Sequence, residues 1–293
     1  MARPGPARLV ILLTIGILSV SCGAVFVRLA SAPALAVAAY RVLWGTLLFA
    51  PALAVGPGRE LASLTWRDWL HLAFSGAALA LHFALWIASL SYTTVASSVL
   101  LVDTTPFFIG LASRWLMDKP CHRRFWMGLT VTFLGCVVIF RGDWSQSQNS
   151  MKGNALALAG AIAFAAYLLA GARARQKLSL FAYVWPVYSA AAIVLFGICQ
   201  IARTPMRGYS TSTYFFMFLL GLIPQGIGHT TYNWALRWLS PALVALVGLA
   251  EPVGASLLAY FVLNESLTVW KLIGGGVVLL GIYLATRPDP ATN

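Results

Sequence analysis

With 60% hydrophobic residues, 10% charged residues and a mean hydropathy of +0.81, this 293-residue chain lies far from the roughly 25% charge of soluble domains, which excludes a soluble enzyme or scaffold. Twenty Lys and Arg against eight Asp and Glu would suggest nucleic acid only if they shared one exposed face; here they punctuate apolar runs. Cys22, Cys121, Cys136 and Cys199 show neither disulfide nor metal-ligand spacing and are expected to be core thiols.

A helix needs roughly 17 to 25 apolar residues to cross ~30 Å of hydrocarbon. Ten runs fit: 9–27, 34–55, 69–91, 93–116, 125–140, 153–172, 181–201, 213–236, 240–262 and 271–286. The first follows Arg3 and Arg8 and precedes a cleavage-like Ala30-Ser31-Ala32, but its 19 residues exceed a signal core of about 7 to 15. It is expected to be retained. Very short turns join spans 3 and 4 at Tyr92-Thr93 and spans 8 and 9 at Leu239-Ser240-Pro241. Lys and Arg in short loops stay on the cytoplasmic side, and a cytoplasmic N-terminus puts 13 of them inside and 6 outside, with Arg41 within span 2. Both termini are therefore expected to be cytoplasmic. Trp66, Trp69, Trp115, Trp126, Trp144, Trp238 and Trp270 fall near span ends, where indole rings anchor at the interface.

The two halves repeat. Ala96 to Pro106 and Ala242 to Pro252 share a layout at an offset of 146 residues, and in the same register Gly128 matches Gly274 and Gly135 matches Gly281. The division is 1–141 for the first five-helix copy, 142–152 for a polar linker and 153–293 for the second copy. Five spans per copy invert the second relative to the first. The expected fold is thus an all-α integral membrane protein of ten transmembrane helices in two inverted five-helix repeats. Inverted repeats in secondary transporters place the substrate near the midplane, between the copies.

Polar groups inside the apolar runs are the candidates for chemistry. Asp103 and Glu251 each sit about ten residues into a span, hence ~15 Å deep at 1.5 Å per residue; carboxylates there face a cavity or a partner. Both are proton-coupling candidates, with neutral, hydrogen-bonded packing as the competing role. Asp103 shares a face with Ala96, Val99, Pro106, Gly110 and Ser113. Pro106 and Pro252 remove a backbone hydrogen bond each and are expected hinges. His82, Trp86 and Ser89 share a face of span 3, and Gln225, His229 and Tyr232 occupy nearly corresponding places in span 8. His82, Trp86, Asp103, Gln225, His229 and Tyr232 are the substrate-contact candidates, since rings with a few polar groups suit a small amphiphile. His82 also titrates near neutral pH and is a third proton-coupling candidate. Arg41, ~10 Å deep, is expected to snorkel outward, with an acid partner or a substrate carboxylate as alternatives. No ATP-binding, serine-nucleophile or zinc-helix motif occurs. Gly274-Gly275-Gly276 is expected to serve close helix packing.

Ten spans in two copies, proline-bearing fourth and ninth helices, and the run Asn264-Glu265-Ser266-Leu267 followed by Trp270-Lys271-Leu272-Ile273-Gly274 resemble the EamA-type drug/metabolite transporters. Glu265 is the usual acid of that turn; its first-copy counterpart is Lys119, with Asp118 one place earlier. The resemblance implies a carrier, commonly an exporter of amino acids or related metabolites across a bacterial inner membrane, with a cavity formed by helices 1, 3, 4, 6, 8 and 9. The expected function is alternating-access export of a small amphipathic metabolite, an amino acid or a derivative such as a metallophore, with proton coupling as the candidate driving force. The alternatives are an importer with the same fold and an intramembrane enzyme. No cofactor, metal, nucleic acid or ATPase subunit is called for; the partners are a small-molecule substrate and the lipid bilayer, and the protein is a monomer or homodimer.

Overall fold

The computed structural model describes residues 4–93, 95–116, 121–140, 150–263 and 267–287, and these are helical with no strand among them. Trp144, Asp118, Lys119, Glu265 and most of the expected linker lie outside the described residues. The order is α1 (Pro6–Leu29), α2 (Ala34–Phe49) with a tight turn of 3-10 helix, α3 (Pro57–Ala62), α4 (Trp66–Ser89), α5 (Val95–Val102), α6 (Thr105–Leu116) and α7 (Arg123–Phe140). The second half runs α8 (Ser150–Lys177), α9 (Leu180–Ile201), α10 (Thr211–Leu220), a π-helical segment (Gly221–His229), α11 (Thr230–Ala235), α12 (Pro241–Gly248), α13 (Glu251–Leu263) and α14 (Val269–Thr286). Serine and threonine caps set many of the starts: Ser179, Ser210, Ser240 and Thr268 each accept a bond from a backbone N–H of the first turn, and Thr65 forms a capping box with Asp68.

The repeat is visible in these boundaries. α2 and α9, α5 and α12, α6 and α13, and α7 and α14 each begin 146 residues apart. Among the described residues seven helices are long and apolar enough to cross a membrane, judged by length and composition: Pro6–Leu29, Ala34–Ala52, Trp66–Ser89, Met151–Lys177, Leu180–Ile201, Pro241–Val262 and Val269–Thr286. The other three expected spans are α5–α6, α7 and the interrupted helix from α10 to α11.

Two expected continuous helices are broken, and prolines explain where. A proline ring clashes with the carbonyl four residues back. For Pro106 that residue is Val102 and for Pro252 it is Gly248, the last residues of α5 and α12. In the first copy the Thr105 hydroxyl donates to the abandoned Val102 carbonyl at 2.7 Å. Pro224 acts likewise: four residues back is Leu220, where α10 ends and the chain widens into the π segment.

Equivalent helices meet each other. α7 packs along α14, and a Cβ added to Gly128 would lie 2.6 Å from the Gly281 carbonyl oxygen, one added to Gly135 2.9 Å from that of Gly274. Gly128 and Gly274 are repeat partners, as are Gly135 and Gly281. Each glycine therefore meets the other pair's member, with the order reversed along the helix. This is the contact pattern of a two-fold axis crossing two antiparallel helices. The outer surface is apolar, with Val10, Leu70, Phe74, Ile193, Phe261 and Leu272 all more than half exposed. Trp66, Trp69, Trp115 and Trp270 are exposed as well, as interfacial anchors would be. Cys136 and Cys199 are buried; Cys22 and Cys121 are half-buried rather than in the core.

Candidate functional site

A cavity lies where the two broken helices meet. Its wall includes Val20 of α1, Arg41 of α2, His82, Phe83 and Trp86 of α4, and Phe164 and Leu168 of α8. Val99, Val102, Asp103, Thr105 and Pro106 close it from the first break, and Ala245, Gly248, Leu249 and Glu251 from the second. His229 and Tyr232 complete it from the end of the π segment and α11. Asp103 and its repeat partner Leu249, and Thr105 and its partner Glu251, thus all face one space. The breaks are common to both copies; the acids sit on opposite sides of them.

Each break is also tied to the first helix of the other copy. The Ser21 hydroxyl of α1 is shared between the Ile17 carbonyl of its own helix at 2.8 Å and the Glu251 carbonyl at 3.1 Å, and the Thr105 hydroxyl, bonded to Val102, also reaches the Ala161 carbonyl of α8 at 3.3 Å. A Cβ on Gly254 would collide with Ser21, so α1 and α13 touch closely there.

The cavity is lined by polar atoms without partners. Trp86 Nε1, Asp103 Oδ2, His229 Nδ1 and Tyr232 Oη are enclosed and make no hydrogen bond, although Trp86, His229 and Tyr232 are each more than 90% buried. Buried polar groups are nearly always paired, and an orphan calls for an explanation. Four around one space point to a binding function. Trp86 and Tyr232 are repeat partners, so each copy contributes an aromatic ring with a polar tip at the same place. Aromatic faces fill the remaining wall. His82 stacks on Phe164 with centroids 4.5 Å apart, and His229 meets Phe83 and Phe164 edge-on at 5.3 and 5.6 Å.

Arg41 does not snorkel to the surface; it is 2% exposed. Its Nε donates to Gln225 Oε1 at 3.1 Å and its guanidinium lies 4.2 Å from the centre of the Phe83 ring. Its own helix is enclosed there, with Ala38, Ala39 and Val42 fully buried, so no outward path exists for the side chain. Gln225 consequently stands behind Arg41 rather than on the cavity wall. The Gln225 amide nitrogen remains unpaired. His82 is partly committed, since its Nδ1–H donates to the Gly160 carbonyl at 3.0 Å. Ser89 faces elsewhere, bonding Ser98 and the Trp86 carbonyl. The stripe around Asp103 also divides at the break: Val99, Asp103 and Pro106 face the cavity, whereas Gly110 packs on Trp126.

Beyond the cavity, a buried polar layer joins α8, α9 and α11. Tyr167 Oη donates to Asn233 Oδ1 at 2.9 Å, Asn233 Nδ2 donates to Tyr188 Oη at 3.2 Å, and Tyr188 Oη lies 3.1 Å from Thr230 Oγ1.

A family model for the EamA-like transporter family matches residues 7–141 and again residues 151–287. The chain belongs to the EamA-like transporter family. Its two EamA repeats span the sequence. An uncharacterized transporter of Archaeoglobus fulgidus is 26% identical over 240 residues, covering 78% of this chain and 80% of that one. The uncharacterized transporter YwfM of Bacillus subtilis is 27% identical over 267 residues, covering 87% and 84%. A solved crystal structure superposes with a TM-score of 0.82 over 96% of this chain and 98% of the other, at 20% identity, which shows a shared fold. As an EamA-like protein the chain is a multi-pass membrane transporter. Within its EamA repeats, sequence reading missed Phe83, Phe164 and Val20, because apolar residues in an apolar helix carry no signal that separates a cavity wall from packing.

Proposed function

We propose that this protein is a secondary carrier of a small amphipathic metabolite, an amino acid or a derivative such as a metallophore, exported by alternating access and driven by inward proton movement. The observation that carries this reading is the cavity between two broken, repeat-related helices, ringed by unpartnered buried polar atoms. Discontinuous helices at a repeat interface are a recurrent way to build a transporter's substrate site. The cavity volume is about 60 Å³, several times below the roughly 300 Å³ of ordinary ligand pockets, so loading a solute requires the helices to part. Pro106 and Pro252 are the proposed hinges of that movement. Trp86, His82, His229 and Tyr232 contact the solute, Asp103 and Glu251 carry protons, and Gln225 orients Arg41.

In the proposed arrangement, ten helices form two inverted five-helix copies, divided near 141–152, in a bacterial inner membrane with both termini cytoplasmic. The protein acts as a monomer or homodimer without an ATPase subunit. Comparing metabolites in cells and medium with and without the gene tests export: one small solute should accumulate inside when the gene is lost. Inside-out vesicles should then concentrate that solute when their lumen is acidified and stop when a protonophore is added. Unchanged metabolite distribution would defeat the transport assignment, and accumulation indifferent to the protonophore would defeat proton coupling.

A further inference from the structure

The charges around the cavity do not sum to zero. Arg41 contributes one positive charge, and Asp103 and Glu251 contribute two negative ones when ionised. The other titratable groups facing this space do not correct the balance. His82 of α4 is held between the rings of Phe164, at 4.5 Å, and Phe83, at 4.9 Å, and Phe83 already carries Arg41, so a proton on its free Nε2 would face that cation. His229 packs against Phe83, the ring that already carries Arg41, so a second cation there would face the first. Tyr232 is neutral at ordinary pH, and the Cys136 thiol of α7 is directed to the Leu249 carbonyl. A water needs about 10 to 15 Å³, so the cavity's roughly 60 Å³ holds only a few, too few to hydrate a surplus charge. An uncompensated buried charge is costly.

We propose that the cavity in this conformation holds one additional positive charge, supplied either by a single proton on the Asp103 and Glu251 pair or by the ammonium group of a bound organic monocation, and that the two exchange. This rests on the transport reading above and narrows its substrate class. On loading, the carboxylic O–H gives its proton to solvent and the ammonium group takes its place beside the unpartnered Asp103 Oδ2. The rings of Trp86, Phe164 and Tyr232 receive the apolar body and can face the cation. Trp86 Nε1 can only donate, so the solute also carries a neutral hydrogen-bond acceptor. A zwitterion adds no net charge and would leave the proton in place.

Three compounds that share a benzyl group test the assignment: phenylalaninol, a monocation with a hydroxyl; phenylalanine, a zwitterion; and 3-phenyllactate, an anion. Each is titrated into the full-length protein in lipid nanodiscs, in weak buffer with a pH indicator. Phenylalaninol should bind saturably and release about one proton per molecule bound, while the other two release none. Asp103→Asn should abolish the release and weaken phenylalaninol binding by at least about tenfold, with its elution profile and thermal midpoint as the check on folding. Should that variant fail to fold, the wild-type proton count decides alone. Phenylalanine binding as tightly as phenylalaninol, phenylalaninol binding without proton release, or no phenylalaninol binding would each overturn the monocation assignment. Binding and carriage of a zwitterion or anion would do so while leaving the transporter reading intact, whereas an unchanged metabolite profile would remove that reading itself.

Discussion

Arg41 is held by one neutral amide and one aromatic face, an arrangement that only a planar, multi-donor cation can use. Gln225 Oε1 takes the Nε–H, and the Phe83 ring lies against the flat side of the guanidinium. Replacing Gln225 with Leu keeps similar bulk but leaves a charged donor unmet, a loss of about 1.5–3 kcal/mol. The variant should therefore melt several degrees lower in detergent and transport poorly, while Gln225→Glu, which restores an acceptor, should recover much of the thermal midpoint. Equal stability of the Leu variant and the wild type would mean that this bond is not what holds Arg41. The candidate site was legible in the sequence only where polarity stood out. Asp103, Trp86, His229 and Tyr232 interrupt apolar runs, and all four reach the cavity. Gln225 interrupts one as well, yet lies behind Arg41, because spacing along a regular helix cannot foresee the rotation that the wider π-helical turns introduce.

The breaks between α5 and α6 and between α12 and α13 are the elements on which the site depends. Each ends its first half at the residue whose carbonyl the proline would strike, Val102 or Gly248. The sequence displayed both prolines but not the outcome, since a proline in a long apolar run is compatible with a kink as well as a full break. Contacts from far away in the chain meet both interruptions: Ser21 shares its hydroxyl with the Glu251 carbonyl and Thr105 reaches Ala161. The two copies handle the break differently. Thr105 hydrogen-bonds the Val102 carbonyl itself, whereas the equivalent position in the second copy is Glu251, which lines the cavity. Proline in a helix interior costs roughly 3 kcal/mol relative to alanine, so Pro252→Ala favours a continuous helix. The expected result is an equal or higher thermal midpoint with transport slowed about tenfold or more, the exchange of activity for stability seen when a strained site relaxes. Wild-type transport with a raised midpoint would show that the break has no part in the cycle.

At the scale of the molecule, the crossed glycine contacts of α7 and α14 and the shared 146-residue offset of helix starts describe two copies related by a two-fold axis across the helices. The same packing fixes which loops share an end. Glu60 of α3 accepts a bond from the backbone N–H of Ser179 at 2.6 Å, at the start of α9. The 22 residues of α9 then carry the chain roughly 33 Å at 1.5 Å per residue, to the far end where Arg203 and Arg207 lie. Ser63 and Arg207 therefore stand at opposite ends of that helix, and in the orientation proposed above, which rests on the excess of Lys and Arg on the Ser63 side, that side is the cytoplasmic one. In a background lacking the four native cysteines, Arg207→Cys should react with a membrane-impermeant maleimide on intact cells, and Ser63→Cys only after permeabilisation. Both positions are exposed, so labelling reports sidedness rather than burial. The reverse pattern would invert the orientation and with it the direction assigned to the proton gradient, and labelling of both from outside would break the link between the α9 span and the membrane.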